Sequence, residues 1–187
     1  IQKTGNELTS AHHFANTMFN LMRGGYFANG DSISTDDLRS FVKNANIRTY
    51  EENRSFWNGM TGNYPGRVWY EKLSAVTDPH FKRLVYEYLP VSFSRRHGDP
   101  SRPWNKFSIR TQKSDGTPII DYQGNWRDIF QNWEALLHSN PGFTLSIINK
   151  FINATTADGY NPYRISRKGV DWEKPEPENP WSNIGYW

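Results

Sequence analysis

In the run Asn125-Trp126-Arg127-Asp128 an arginine and an aspartate follow a tryptophan directly. A carboxyl in that setting can give or take a proton, the guanidinium can hold it, and the indole offers a flat apolar face with one N–H. Asp171-Trp172-Glu173 repeats the combination, with two acids flanking a ring. Such a ring can stack on a sugar while carboxylates bind hydroxyls, and acid-catalysed glycosyl transfer needs two carboxyls about 5–10 Å apart across one bond. Asp128, Asp171 and Glu173 are therefore the candidate catalytic groups. Each also has a plain structural use. With Asn125 as N-cap, Asp128 falls where any carboxylate steadies a helix start. The run from Glu173 to Glu178 reads equally as a solvated acidic loop.

Two short basic clusters form the next candidates, Ser94-Arg95-Arg96-His97 and Arg164-Ile165-Ser166-Arg167-Lys168. Arg95, Arg96 and Arg102 with Trp104 suit an anion such as phosphate, a substrate carboxylate or a nucleic-acid backbone. They suit a structural pairing with Asp99 and the acidic tail just as well. A net charge of +3, from 22 basic and 19 acidic residues spread along the chain, lacks the stripe that nucleic-acid binders show. A nucleic-acid partner is therefore disfavoured. No metal or cofactor is expected. His12 and His13 are adjacent rather than one turn apart, cysteine is absent, and neither a P-loop nor a Gly-x-Ser-x-Gly elbow occurs.

The elements that must position these groups read as mainly α, with about six helices, one small β-hairpin and a long C-terminal loop. Apolar residues at near-helical spacing mark a helix from Glu7 to Met22. Ser34 or Thr35 can cap a second helix carrying Leu38, Phe41, Val42 and Ala45, which the polar stretch from Asn53 to Trp57 would prolong to Gly59. Pro65 can open a third, and Asp78-Pro79 is a clear start for a fourth ending at Pro90. Phe107, Ile109 and Thr111 alternate with polar residues before an Asp115-Gly116 turn, as in a hairpin. Trp126, Phe130, Trp133 and Leu137 trace one helix face, and Phe143 to Phe151 a further helix. Four prolines stud the tail after Gly159. The division is helical 1–90, loop and hairpin 91–124, helices 125–157 and a proline- and aromatic-rich loop 158–187, within one domain or a fragment of one.

Aromatics make up 16% of the 187 residues while the mean hydropathy is −0.82, so large rings sit among polar residues. No apolar run is long enough for a membrane span. The opening Ile1-Gln2-Lys3-Thr4-Gly5-Asn6 is not a signal peptide. With no initial methionine and an aromatic end at Trp187, the chain is read as a segment whose first partner is the rest of its polypeptide. Composition leaves the compartment open, with a cytoplasmic one the simpler expectation.

Trp126-Arg127-Asp128 followed by an amphipathic helix resembles the segment found in six-hairpin, (α/α)6-toroid carbohydrate enzymes. That group includes neutral invertases, glucoamylases and cellobiose phosphorylases. The aromatic, acidic stretch from Asp158-Gly159-Tyr160-Asn161-Pro162-Tyr163 through to Pro180-Trp181 and Trp187 is similar in style to cavity-lining loops of such enzymes. The resemblance implies glycosidic-bond hydrolysis or transfer, a carbohydrate ligand, and Asp128 as acid or sugar-binding carboxylate with Arg127 orienting it. Trp126, Trp104 and Trp172 would be sugar platforms, with Arg95, Arg96, Tyr163 and Arg164 binding substrate. Members of the phosphorylase group carry a second acid where this chain has Asn132, so phosphorolysis through that position is in doubt. The alternatives are a non-catalytic carbohydrate-binding or assembly domain and a nucleic-acid-associated domain.

Overall fold

In the computed structural model the described residues are 6–22, 26–92, 112–126, 129, 133–134, 136–137, 140–172 and 176–178. Arg95, Arg96, Trp104, Arg127, Asp128, Asn132 and Glu173 lie outside them, as do Phe107, Ile109 and Thr111. The fold is mainly α. Bounded among the described residues are α1 (Glu7–Met22), α2 (Thr35–Ala45), α3 (Ile47–Glu52), α4 (Gly66–Ser74), α5 (Pro79–Glu87) and α6 (Thr144–Ala154). Trp126, Ile129, Trp133, Glu134, Leu136 and Leu137 are helical as well. Among the described residues, seven strands of two or three residues form small antiparallel sheets: β1 (Tyr26–Phe27) with β4 (Val91–Ser92), β2 (Ser32–Ser34) with β3 (Asn63–Pro65), and β5 (Gln123–Asn125), β6 (Arg164–Ser166) and β7 (Gly169–Asp171) in that order.

The chain divides into two compact units. One comprises Ile1–Ala28, Val91–Pro141 and Ala154–Trp187, and the other Asn29–Pro90 with Gly142–Asn153. The second is built on caps that the sequence announces. The Ser34 hydroxyl accepts the Asp37 N–H, and Asp36 and Asp37 sit where the α2 dipole favours acid. Asp78 takes the N–H groups of His80 and Phe81 in front of Pro79. Leu38, Phe41 and Val42 of α2, Trp69 and Leu73 of α4, and Phe81, Leu84 and Val85 of α5 are buried. Trp57, Trp69, Phe56 and Phe81 meet mostly edge to face or tilted, ring centres 4.9–6.3 Å apart. Helix α6 completes this core with Ile147 and Phe151, while the short turn Pro141–Phe143 before it buries Phe143.

Asn46 stops the expected long helix after Ala45. Its extended backbone (φ −156°, ψ 100°) ends α2, and its side chain accepts the Thr49 N–H at 3.0 Å to start α3. The residues after Asn46 thus form a separate six-residue helix, and the stretch from Asn53 expected to prolong α2 to Gly59 is instead a 3-10 turn over Arg54–Trp57. Gly59 then takes a left-handed φ of 73°, a value that only glycine adopts freely.

In the first unit Trp126, Ile129, Trp133 and Leu136 are buried, a stripe spaced i, i+3, i+7, i+10. Trp133 meets Tyr122 edge on at 5.2 Å. The turn at Asp115-Gly116 forms, closed by a Gly116 N–H to Lys113 O bond of 3.1 Å and a bridge between Gln112 and Pro118. Strands β6 and β7 lie in the tail that reads as loop by composition. No described helix is long and apolar enough to cross a membrane.

Candidate functional site

The three-stranded sheet gathers four of the residues singled out by type: Tyr163, Arg164, Asp171 and Trp172. Ser166-Arg167-Lys168-Gly169 reverses the chain, with Gly169 at φ 140°. The pairing sets Ile165 opposite Val170 and Arg164 opposite Asp171. Ile165 is fully buried, which fixes the register, because a slip by one residue would turn it outward. Its neighbours Arg164 and Asp171 then fall on the other face. Asp171 Oδ2 accepts from Arg164 Nε at 2.6 Å, and Nη2 lies 2.5 Å from the same oxygen. Both guanidinium donors converge on one oxygen, so Oδ1 is not engaged by the arginine. The Asp171 side chain is 53% exposed, leaving the carboxylate open to water and to a ligand.

The sheet also holds Trp126. Its N–H donates to Tyr163 O at 2.9 Å, while the Tyr163 N–H donates to Asp171 O at 2.9 Å. Asn125 is the last residue of β5, paired with Arg164. The helix carrying Trp126 therefore starts directly from the sheet edge. Trp126 itself is 8% exposed and packs inward. Tyr163 and Trp172 are 40% and 38% exposed. Tyr160, which composition counts only as one more tail aromatic, is the most exposed of the three at 52%. Its signal lies in Thr156 and Gly159, a turn pattern that fixes the loop around it.

The second unit treats its charges differently. Glu87, 7% exposed, ends α5 and is held by Arg83 from its own helix at 2.5 Å. Burial pushes its carboxyl above the usual range, and the charges of Lys150 and Arg83, with hydrogen bonds from Asn153 and Arg83, work against that shift. Lys150 on α6 is itself buried and lies 5.4 Å from the centre of the Phe41 ring. Nearby, the Tyr70 and Ser146 hydroxyls are bonded at 3.0 Å, and burial raises the Tyr70 phenol against that bond. Asp37 accepts the Tyr88 hydroxyl. Asp78 is drawn below the usual range although burial pulls the other way, because the Asn53 amide (2.7 Å) and two backbone N–H groups outweigh it. Asp36, Glu51 and Glu52 pair with Arg39, Arg54 and Arg48. These are caps, locks and surface pairs.

His13 Nδ1 lies 3.8 Å from Glu134, and the His12 and His13 rings stand edge to face at 6.1 Å. Among the described residues no group of three His, Cys, Asp or Glu side chains is placed to hold a metal ion.

Comparison with known proteins bears on the second unit. No curated protein matches the chain. Residues 27–90 match the family model described as glycoside hydrolase family 149 insertion domain 1, about a third of the chain. The match starts two residues before the larger piece of the second unit and ends with it at Pro90. Residues 27–90 are thus a glycoside hydrolase-related region, and they make up most of a compact unit whose carboxylates mostly serve its own structure.

Proposed function

We propose that the chain belongs to an enzyme that hydrolyses or transfers glycosidic bonds, with the Asn29–Pro90/Gly142–Asn153 unit as a non-catalytic inserted module. One observation carries the reading. The glycoside hydrolase-related match falls on a compact unit most of whose acids are spent on caps, hydroxyl partners and arginines. Acid chemistry then falls to carboxylates outside that unit, Asp128, Asp171 and Glu173. The resemblance of Trp126-Arg127-Asp128 to the (α/α)6 enzymes supports Asp128 as the acid, with Arg127 orienting it. Asp171, open on one oxygen and held on the other, fits a group that accepts sugar hydroxyls. Trp104 and Trp172 with Tyr163 would supply stacking faces, and Arg95, Arg96 and Arg164 polar contacts. Trp126, packed inward, fits an anchor for the helix start better than a platform.

The test is turnover of oligosaccharides by the intact protein, with and without inorganic phosphate, read as reducing sugar and sugar phosphate released. Asp128→Asn should abolish turnover and leave the melting temperature nearly unchanged. Full activity in that variant, with a loss of stability, would make Asp128 a helix cap and refute the assignment. Binding of oligosaccharides without any turnover would replace the enzyme by the non-catalytic carbohydrate-binding alternative.

A further inference from the structure

Resting on the carbohydrate reading, we infer that Gln123 and Asn125 are sugar-binding residues, joined with Arg164 and Asp171 in one hydrogen-bonding row on the polar face of the three-stranded sheet. The register makes the row. Asn125 stands opposite Arg164, which stands opposite Asp171, and Gln123 stands opposite Ser166. Residues paired across strands share a face, as do residues two apart along one strand. Gln123, Asn125, Arg164, Ser166 and Asp171 therefore lie together, with Gly124, Ile165 and Val170 on the other side. Burial agrees, since Gly124 and Ile165 are buried between half-buried neighbours on their strands. The Arg164–Asp171 bond is a direct contact within the row. Two backbone bonds set how close Asn125 comes. The Trp126 N–H donates to Tyr163 O and the Arg167 N–H to Tyr122 O, so 126–163 and 122–167 are hydrogen-bonded pairs of the ladder. The alternate pairs 125–164 and 123–166 are then the close kind, with Cβ atoms about 4.5–5.5 Å apart.

The row is more than a wetted face. Four of its five residues are half-buried, and among the described residues neither the Gln123 nor the Asn125 side-chain amide has a hydrogen-bond partner. Such an amide keeps its two donors and its acceptor for a ligand. Ser166 spends its donor on Gly169 O at 3.1 Å within the hairpin, and Asp171 Oδ1 is not engaged by the arginine. Amide donors, amide acceptors and a carboxylate oxygen thus stand side by side. A sugar hydroxyl both donates and accepts, and matches that mixture better than an anion, which Asp171 repels. Asn125 also precedes Arg127 and Asp128 by two and three positions in the sequence, so its strand leads to the candidate acid. A helix cap at Asn125 would use its oxygen alone and leave the amide donors to the ligand.

The test uses the intact protein with glucose trisaccharides of α and β linkage, binding read by calorimetry, with turnover and melting temperature in parallel. Asn125→Ser and Asn125→Asp both keep a helix cap and lose the amide donors. Each should weaken binding about tenfold at an unchanged melting temperature, raising KM more than it lowers kcat, and Gln123→Val should do the same. Lys113→Ala, beside the exposed Asp115-Gly116 turn, should behave as the wild type. Wild-type affinity in all three row variants, with turnover intact, overturns the row and leaves the enzyme standing. Binding that the row variants weaken, without turnover by the wild type, keeps the row and refutes the enzyme. Failure of the wild type to bind any of the trisaccharides overturns the row.

Discussion

Glu87 and Asp171 are each held by an arginine, but the two pairs do opposite work. Glu87 is sunk beside Lys150 between α5 and α6, and its charge can be satisfied only by groups of the fold itself. Asp171 lies half in water across a hairpin, one oxygen held by the arginine and one not. A buried pair is poor at adding stability but expensive to break, because the survivor stays charged in a dry place. An exposed pair costs little either way and remains available to a ligand. The unit matched to a glycoside hydrolase insertion domain is accordingly structural in its polar chemistry, and the three-stranded sheet is the more open of the two.

The sharpest way to break this contrast is in the aromatic core. Trp69→Ala should cost about 3–5 kcal/mol in denaturant unfolding, as a fully buried ring does. Tyr163→Ala in the sheet should stay within about 0.5 kcal/mol. Comparable losses would mean that the sheet is as much a core as the helices.

Second, Lys150→Met should lower stability by about 2 kcal/mol by leaving Arg83 as the one cation answering Glu87 in that pair, and adding Glu87→Gln should recover most of it. Arg164→Met should cost no more than about 1 kcal/mol. Additive effects at positions 87 and 150 would show that the two charges do not answer one another. The pH dependence gives the sign. A carboxyl whose folded value is raised holds its proton more tightly in the native state. Its favourable contribution is complete below the usual glutamate range and fades as pH rises through the raised value. The double variant should lack that decline in a melting series above the ordinary glutamate range.

Asp78→Ala comes third, at about 1 kcal/mol near neutral pH. Here the folded value is lowered, so the Asp78 contribution holds above the usual range and disappears as pH falls through the lowered one. Smallest of all, Asp171→Asn should leave the melting temperature within about 2 °C while weakening oligosaccharide binding. A large thermal shift there would place Asp171 among the structural acids.

Local chemistry makes much of the helical unit legible in the sequence. Asp78-Pro79 starts α5 as expected, Ser34 caps α2, and Pro65 immediately precedes α4. Each signal is a residue acting on backbone a few positions away, so it needs no tertiary information. Asn46 is not legible in the same way, because an asparagine between helical patterns reads as a weak helix residue, and only its backbone turn makes it two caps in one. The β5–β6–β7 sheet escapes for a different reason. Its strands are three residues long, β5 and β6 are about forty positions apart, and tail prolines argue for loop. The alternation of Ile165 and Val170 with charged neighbours is present, but the pairing that gives it meaning is non-local. Tyr163, Arg164, Asp171 and Trp172 can therefore be named by type, but that they meet cannot. Asp128 and Arg127 are named by resemblance, and their positions lie outside the described residues.

The family match ends at Pro90, yet Ile147, Lys150 and Phe151 arrive from a stretch of sequence that starts again at Gly142. The boundary of the recognisable module is thus narrower than the boundary of the object that folds. A graft cut at 27 and 90 would leave home without one wall, exposing Phe41 and Glu87 to water. In evolution the same geometry binds two stretches of chain into one inheritance: whatever replaces the residues between Val91 and Pro141 must hand the chain back in time for α6 to close the core.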